Sequence, residues 1–327
     1  MAFRVAIVGA GLAGLTCAQA LRQAGADVIV FEKSRGPSGR MATRRTDAAQ
    51  FDHGAQYFTV RDPRFAQFID AQLESGAVAQ WSPRMTQTVP EPWYVGTPGM
   101  SALGRAQASG LELKCQARVV GLERASGACL WRLSCEDGQV FEGFDAVVVA
   151  TPNEQAIDLL PDTVASWQQQ LREVPMLPCW TLMFSTDQPL VDLDAAAPEA
   201  SPIGWWARNS SKPARPVVKG RHDWVLQARA DWTFAHLDDD KPNVANALLS
   251  AWAELLSLPS VEPLAPPIVH RWLYARRTPD LSPIAPALWN AELGLGVCGD
   301  GLTHSRVEHA YLSGAILAER ITESIKS

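Results

Sequence analysis

The chain has 327 residues, 47% hydrophobic and 20% charged, so its length favours about two domains and its composition excludes global disorder. Because the net charge is −6 and no basic run is longer than Arg44-Arg45 or Arg276-Arg277, we do not expect nucleic acid as a partner. No apolar stretch approaches the roughly 18 residues of a membrane span, no secretory signal opens the chain, and the six cysteines form no C-x-x-C pair. We therefore expect a cytoplasmic protein with reduced thiols and no membrane partner.

The first strand, helix and second strand of the chain carry a dinucleotide-binding pattern. An apolar strand at Arg4–Val8 runs into a G-x-G-x-x-G motif, and a helical segment then leads to a second strand that ends at Glu32. Gly9 permits the tight turn, Gly11 lets the backbone approach a pyrophosphate, and Gly14 allows close packing of helix on strand. The helix N-terminus favours phosphates, and the carboxylate of Glu32 suits a ribose diol.

A glycine-rich segment that ends in a cation follows the second strand. Glu32-Lys33 with the later Gly36-Pro37-Ser38-Gly39-Arg40 resembles the FAD-binding start of the flavin amine oxidase superfamily. The resemblance implies that Arg40 contacts the diphosphate of FAD. Ser38 stands where many relatives have the first of two adjacent glycines, and because serine is small we expect only a local change there.

The middle of the chain alternates between helix and strand patterns. We predict a helix at 100–108, a strand at 111–122, a small β-meander at 128–134 and 140–141, and a buried strand at 145–150. The last of these, which ends at Thr151-Pro152, resembles the strand beside the cofactor in these flavoproteins. Val119 stands where the superfamily often places a backbone contact to adenine.

The segment that follows is dense in tryptophan and has the pattern of an antiparallel sheet. Such rings usually fill a core, although a few of them suit an aromatic pocket for a flat substrate. We predict strands near 178–185, 203–207, 223–229 and 268–274, with a covering helix at 243–256.

The C-terminal segment supplies a second cofactor motif. A strand pattern at 293–298 is followed by Gly299-Asp300 and an amphipathic helix from Val307 to about residue 325. This order resembles the second FAD motif of the same superfamily. The resemblance implies that Asp300 binds the ribityl or diphosphate region and that the helix N-terminus points at the flavin.

Taken together, the patterns predict an α/β fold with a discontinuous Rossmann-type FAD-binding domain and an α+β substrate domain that contains an antiparallel sheet. We assign 1–58, 98–174 and 285–327 to the FAD-binding domain. The substrate domain takes 59–97 and 175–284.

Three stretches resemble a narrower group, the bacterial renalase-type flavoproteins. They are F-D-H-G-A-Q-Y-F-T-V-R-D at 51–62, W-W-A-R-N-S-S-K-P at 205–213 and H-R-W-L-Y-A-R at 270–276. The resemblance implies an FAD-dependent oxidase that takes a hydride from isomeric dihydro-NAD(P), in its 2- or 6-dihydro form, and gives NAD(P)+. Molecular oxygen then reoxidises the flavin and yields H2O2, so the expected partners are a dinucleotide substrate and O2.

The expected site residues come from these stretches and from the two FAD motifs. We expect no catalytic side chain, because the flavin N5 accepts the hydride, and no metal; His53 and His270 are placed near the flavin, with a purely structural role left open for both and for Lys212. The substrate-binding candidates are Tyr57, Phe58, Thr59, Arg61, Tyr94, Arg208, Asn209, Lys212, His270, Trp272 and Tyr274. The FAD-binding candidates are Gly9, Gly11, Leu12, Ala13, Gly14, Glu32, Lys33, Gly39, Arg40, Met41, Ala55, Gln56, Tyr57, Val119, Thr151, Gly299, Asp300, Arg306, Val307, Glu308 and Ala310.

Two other functions remain open at the level of sequence. The first is amine oxidation, although superfamily amine oxidases usually carry a lysine early in a substrate-domain strand and the run 176–184 has none. The second is a flavin-binding protein without turnover. The sequence leaves open the preferred dihydropyridine isomer, the choice between NAD and NADP forms, and the oligomeric state.

Overall fold

A six-stranded sheet forms the dinucleotide-binding half of the molecule. The computed structural model describes residues 2–124 and 130–326. All neighbouring strands of this sheet are parallel except the first pair, and the central strands are buried, which explains their apolar sequences. In spatial order the strands are β17 (Leu288–Asn290), β18 (Leu295–Val297), β11 (Ala146–Val149), β1 (Arg4–Val8), β2 (Asp27–Glu32) and β7 (Glu112–Cys115).

Two helices from opposite ends of the chain cover one face of this sheet. They are α1 (Leu12–Gln23) and α8 (Val307–Lys326), and both contribute to one buried core that includes Leu15 and Leu317. Their backbones approach closely, since a Cβ atom on Gly314 would overlap the carbonyl of Ala13. The predicted helix at the C-terminal end and its pairing with the glycine-rich start are therefore confirmed.

A three-stranded antiparallel meander packs on the opposite face through Trp131, Leu133 and Phe144. The predicted single strand at 111–122 is wrong, because the chain turns at Gln116, which has a φ of 58°. Its first half is β7 of the six-stranded sheet, and its second half is β8 (Val119–Arg124) of the meander. The predicted start of the meander at 128 lies outside the described residues. The meander strands are β8 (Val119–Arg124), β9 (Trp131–Cys135) and β10 (Val140–Phe144).

A five-stranded antiparallel sheet forms the other half of the molecule, as predicted. Helix α7 (Lys241–Leu255) covers one face of it, and Trp180, Trp224 and Trp252 fill the core between them. The opposite face of the sheet borders the first half of the molecule. It carries Trp205 and Gln227, which are paired in register on neighbouring strands. In spatial order the strands are β13 (Ala195–Ala196), β14 (Ile203–Arg208), β15 (His222–Ala228), β12 (Met176–Thr186) and β16 (Ile268–Arg277).

The remaining elements connect the two sheets. The hairpin of β5 (Val78–Trp81) and β6 (Trp93–Gly96) packs with helix α2 (Pro63–Glu74) in one cluster that also contains Ala207 of the second sheet and Leu12 of the first half. Because this cluster contacts both halves, the domain boundaries stay a prediction. In the described ranges, no helix is both long enough and apolar enough to cross a membrane. These elements are β3 (Thr43–Arg45), β4 (Gln50–Asp52), α2 (Pro63–Glu74), β5 (Val78–Trp81), β6 (Trp93–Gly96), α3 (Ser101–Gln107), α4 (Asn153–Leu159), α5 (Ala165–Arg172) and α6 (Ala230–Ala235).

Candidate active site

A cavity of about 2080 Å³ is lined by residues of both halves of the molecule. Its volume exceeds the roughly 300–1,000 Å³ of a pocket for one drug-sized ligand, so there is room for an elongated dinucleotide and a second ligand. All the predicted FAD-binding residues except Gly14 and Glu308 line it. The two cofactor motifs therefore meet at one site.

The glycine-rich turn between β1 and α1 forms one wall of the cavity. Gly9 has a φ of 109°, a conformation that favours glycine, and Gly14 packs directly against the carbonyl of Gly9. A Cβ atom on Gly11 would meet no other atom within 4 Å, so it would project into open space. Because Gly11 has no side chain, its backbone is accessible from the cavity beside the N-terminus of α1. This arrangement suits the binding of a dinucleotide diphosphate.

The carboxylate of Glu32 is held rigidly at the end of β2. One oxygen accepts a hydrogen bond from the backbone N–H of Ala10 at 2.9 Å and the other accepts one from Ser34 at 2.8 Å. Each oxygen keeps a further lone pair for a ligand hydroxyl. Lys33 lines the same end of the cavity, and burial lowers the pKa of its ammonium group.

Arg40 joins the two cofactor motifs. Its Nη1 donates a hydrogen bond to Asp300 at 3.2 Å and another to the carbonyl of Ala275 at 3.2 Å. Ser38, two residues earlier, has a φ of 113°, where glycine is favoured, and its Oγ donates to the carbonyl of Ser101 at 3.0 Å. The change from glycine thus keeps the glycine-like backbone, and a hydrogen bond anchors the extra hydroxyl.

The second sheet presents an aromatic surface to the cavity, and Arg276 of β16 also lines it. Trp205, Gln227, Cys179 and Trp272 line it from four different strands. The indole Nε1 of Trp272 donates to the carbonyl of His53 at 2.9 Å, and the ring stacks on the His53 imidazole at 5.1 Å between centroids. This contact ties the edge strand β16 to the segment that precedes Ala55 and Gln56.

His53 and His270 form a neutral pair beside this surface. Their ring centroids lie 4.9 Å apart, and both rings contact Trp272. Burial disfavours the charged imidazole, as does the nearby charge of Arg44, and the pKa of each histidine falls to about 4. Both rings are therefore uncharged at neutral pH, which makes them weak bases.

Three of the predicted substrate-binding residues lie away from the cavity, contrary to our expectation. Arg208 forms an ion pair with Asp194, and the buried amide of Asn209 donates to the carbonyl of Gln50 at 2.8 Å. Lys212, only 2% exposed, donates to Asp52 at 3.4 Å and also to Gln56. Asn209 and Lys212 hold the chain segment after β14 against β4 and its surroundings, whereas Arg208 holds the end of β14 against Asp194.

Two further candidates, Glu308 and Tyr94, lie outside the cavity lining and have partners within the protein. Glu308 is buried, and its Oε1 accepts hydrogen bonds from the backbone N–H groups of Arg61 at 2.6 Å and Asp62 at 2.7 Å. Tyr94 forms a backbone bridge with Phe58 and stacks on its ring outside the cavity lining. Phe58 lines the cavity together with the other substrate candidates Tyr57, Thr59, Arg61, His270, Trp272 and Tyr274.

Many cavity residues were missed at the level of sequence, among them Trp93, Trp205, Gln227 and Cys179. Trp93 stacks on Tyr57, and Trp205 lies 5.8 Å from Trp93 between ring centroids. Both belong to stretches rich in aromatic residues, where core and pocket positions cannot be separated by pattern. Gln227 and Cys179 each stand in a strand whose alternation alone gives no sign that one face borders a cavity.

The fold and the cavity define a two-domain dinucleotide-binding protein. Comparison with known families gives the class more closely: residues 7–71 match the NAD(P)-binding Rossmann-like domain, and residues 73–322 match the flavin containing amine oxidoreductase family. The chain belongs to this flavin-dependent oxidoreductase family. The backbone at Gly11, the carboxylate of Glu32 and the guanidinium of Arg40 fit the flavin dinucleotide that membership implies.

Individual relatives share parts of the sequence or the whole fold. A hydroxyneurosporene desaturase from Rubrivivax gelatinosus is 45% identical over 58 residues, which cover 18% of this chain and 11% of that protein. The chain spans about a tenth of the length of the curated relatives it matches. Among solved structures, cyclohexylamine oxidase from Brevibacterium oxydans IH-35A is similar over 100% of both chains, with a TM-score of 0.73 and 12% identity. Putrescine oxidase bound to putrescine has a TM-score of 0.70 and 14% identity over 98% of this chain and 99% of that one. At these identities the solved structures support the fold alone.

Proposed function

We propose that the protein is an FAD-dependent oxidase of renalase type that takes a hydride from the 2- or 6-dihydro isomers of NAD(P)H and returns NAD(P)+. The observation that carries the proposal is the aromatic sheet face at the cavity, to which the described residues of the second sheet contribute no lysine. Among the described residues that line the cavity, Lys33 is the one lysine, and it follows Glu32 directly after the end of β2. The lysine expected near the flavin of an amine oxidase is thus missing from the described lining.

The chemistry requires little of the protein beyond orientation. When bound, FAD supplies the hydride acceptor, and O2 takes up the two electrons as H2O2. The C–H bond of a dihydropyridine is already hydridic, because its loss restores an aromatic ring, so the side chains need only stack and orient that ring. The rings of Trp205 and Trp272 suit a flat ligand, and their π faces favour the positive charge that the pyridinium ring gains.

The neutral histidines support the same reaction. Loss of a hydride from a ring carbon leaves no proton for a side chain to remove, so a base is unnecessary. His53 and His270, with pKa values of about 4, are uncharged at neutral pH and do not repel the cationic product. Tyr57, Phe58, Thr59 and Arg61 stay proposed contacts on the substrate side of the cavity.

Amine oxidation is the alternative that the family description favours. The similar solved structures include oxidases of cyclohexylamine and putrescine. Two observations stand against this alternative. Among the described residues, the second sheet contributes no lysine to the cavity lining, and Lys212, which contacts Gln56, is a buried partner of Asp52. A flavin-binding protein without turnover is the third candidate.

Anaerobic mixing of the holoprotein with a panel of reductants separates the three candidates. The panel contains the 2- and 6-dihydro isomers, ordinary NADH and a set of biogenic amines, and bleaching of the flavin is followed in the visible spectrum. We expect rapid bleaching by one or both isomers and slow or no bleaching by the amines. Rapid bleaching by an amine alone would establish the alternative, and no bleaching by any compound would favour the protein without turnover.

A further inference from the structure

Gln227 lies in the middle of the sheet face at the cavity. It belongs to β15, where it is paired in register with Trp205 on one side and Thr181 on the other. The side chain is half-buried and lines the cavity. Neither the cofactor motifs nor the proposed hydride transfer assigns it a role.

The orientation of the Gln227 amide is fixed by its partners. Its Nε2 donates a hydrogen bond to the carbonyl of Gly54 at 2.7 Å and approaches the carbonyl of His53 at 3.5 Å. Both partners are acceptors, so the nitrogen must face them and Oε1 must point the other way. No donor in residues 2–124 or 130–326 reaches Oε1, and this oxygen is not among the buried atoms that lack a partner. Oε1 is therefore a fixed acceptor without a described protein donor, on the side of the amide that faces away from Gly54.

A ligand for this oxygen must bring a hydrogen-bond donor. The neighbouring rings of Trp205 and Trp272 select a flat ligand, and the neutral amide offers no charge to attract an ammonium group. A dihydropyridine ring has one substituent with N–H donors, its primary carboxamide, which offers two. An acceptor at a fixed position between two aromatic side chains therefore matches the carboxamide group of a nicotinamide ring.

We propose that Gln227 is a specificity-determining residue whose Oε1 accepts a hydrogen bond from the primary carboxamide of the substrate ring. The inference rests on the proposed function and deepens it, because it names the substituent that the site recognises. Anchoring of Nε2 on Gly54 keeps the acceptor in place before the ligand arrives, so little ordering is needed on binding. A site of this kind rejects a ring whose substituent lacks the donor, because the oxygen is then left without a partner.

Equilibrium binding of two pyridine dinucleotides to the flavin-loaded protein tests the inference without turnover. The ligands are NAD+ and its 3-acetylpyridine analogue, in which a methyl group replaces the amide NH2, and titration calorimetry measures both dissociation constants. We expect the wild type to prefer NAD+ by about tenfold, the factor that corresponds to one hydrogen bond of about 1.4 kcal/mol. Gln227→Met should bind the two ligands almost equally, since it keeps the length of the side chain but removes the acceptor.

Two further variants separate recognition from damage to the fold. Gln227→Leu, a second replacement without an acceptor, should lose the preference as Gln227→Met does, whereas Gln80→Met, the same change at an exposed position of β5, should leave the wild-type ratio unchanged. Visible absorbance checks that each variant holds its flavin.

The outcomes for this inference and for the proposed function are distinct. A ratio that stays at the wild-type value in Gln227→Met overturns the inference, as does a wild type that binds both ligands equally or binds neither. If dihydropyridines fail to bleach the flavin while Gln227→Met still loses the preference, the proposed reaction fails and the recognition of the carboxamide stands.

Discussion

Arg215 and Asp52 form a fully buried ion pair that joins the segment after β14 to strand β4. The Nε of Arg215 lies 3.2 Å from Oδ2 of Asp52, and Lys212 donates to the same oxygen at 3.4 Å. The backbone N–H of Met100 and the hydroxyl of Thr43 donate to the other oxygen of the carboxylate at 2.9 Å each. Two cations therefore face one buried anion immediately behind the segment 53–57 that lines the cavity.

Removal of Asp52 should destabilise the protein strongly. Asp52→Ala leaves two buried cations without their counter-charge, and losses of this kind cost about 3–5 kcal/mol. The matched control is Asp27→Ala, which breaks the exposed pair with Arg4 and should cost less than about 1 kcal/mol. Urea unfolding of the two variants gives the free energies directly. Similar losses in both would contradict the structural role assigned to this cluster.

The role of Lys212 shows where sequence reasoning reaches its limit. Lys212 stands in the stretch W-W-A-R-N-S-S-K-P, and the sequence left both a substrate contact and a purely structural role open for it. Its partner Asp52 lies 160 positions away, and no periodicity in either segment reports that the two meet. The sequence pattern around Lys212 names it as a candidate site residue. Only the tertiary contact with Asp52 shows that its ammonium group belongs to a buried ion pair.

The cofactor should be tightly but noncovalently bound FAD. The proposal rests on the meeting of both FAD motifs at one cavity and on the lack of a recognisable attachment cysteine or histidine in the sequence. Purified protein should be yellow, and acid precipitation should release all the flavin into the supernatant. Colour that stays with the pellet would contradict noncovalent binding.

Gly11→Val should abolish cofactor binding while the protein stays folded. The added atoms meet no protein atom within 4 Å of Cβ, so they enter the cavity where the backbone must approach a diphosphate. Gly121→Val is the matched control, because its Cβ makes only an ordinary contact of 3.7 Å with Ser134 outside the cavity lining. Flavin absorbance per protein and circular dichroism should show a colourless, folded Gly11→Val and a yellow Gly121→Val. A yellow Gly11→Val would place the diphosphate elsewhere.

The neutral histidine pair predicts a loss of stability in acid. In the folded state the pKa values of His53 and His270 fall from 6.5 to about 4, so the unfolded chain binds more protons between these values. The free energy of unfolding should therefore be fully retained above pH 6.5 and should decrease as the pH falls toward about 4. In His270→Gln this slope should be shallower, because one of the two groups no longer titrates.

Urea unfolding at several pH values measures that slope. The control is Gln80→Met at an exposed position of β5, which removes no titratable group and should keep the wild-type slope. An unchanged slope in His270→Gln would mean that the ring is not held in its neutral form by the fold.

The dinucleotide half of the molecule follows from sequence more completely than the substrate half. Its β1–α1–β2 unit and α8 depend on local signals, namely the glycine spacing and the helical periodicity, and these segments form as predicted. The strands of the second sheet were also predicted, and Trp272 and Tyr274 were expected at the cavity, but Gln227 and Cys179 were not. Which face of β15 meets the cavity depends on the contact between Gln227 and Gly54, which lie 173 positions apart.

The limiting rate of flavin reduction by a saturating dihydropyridine isomer tests the central claim most directly. Anaerobic stopped-flow measurements would compare the wild type with His270→Ala across the pH range in which both remain folded. We predict that the limiting rate is nearly independent of pH in the wild type. The variant should weaken binding more than it slows reduction, since it loses a positioning contact and no base. Loss of a general base typically costs about 10²–10⁴ in rate. A limiting rate lowered about a thousandfold in His270→Ala, together with loss of a pKa seen in the wild-type profile, would contradict base-free hydride transfer and favour acid–base oxidation of another substrate.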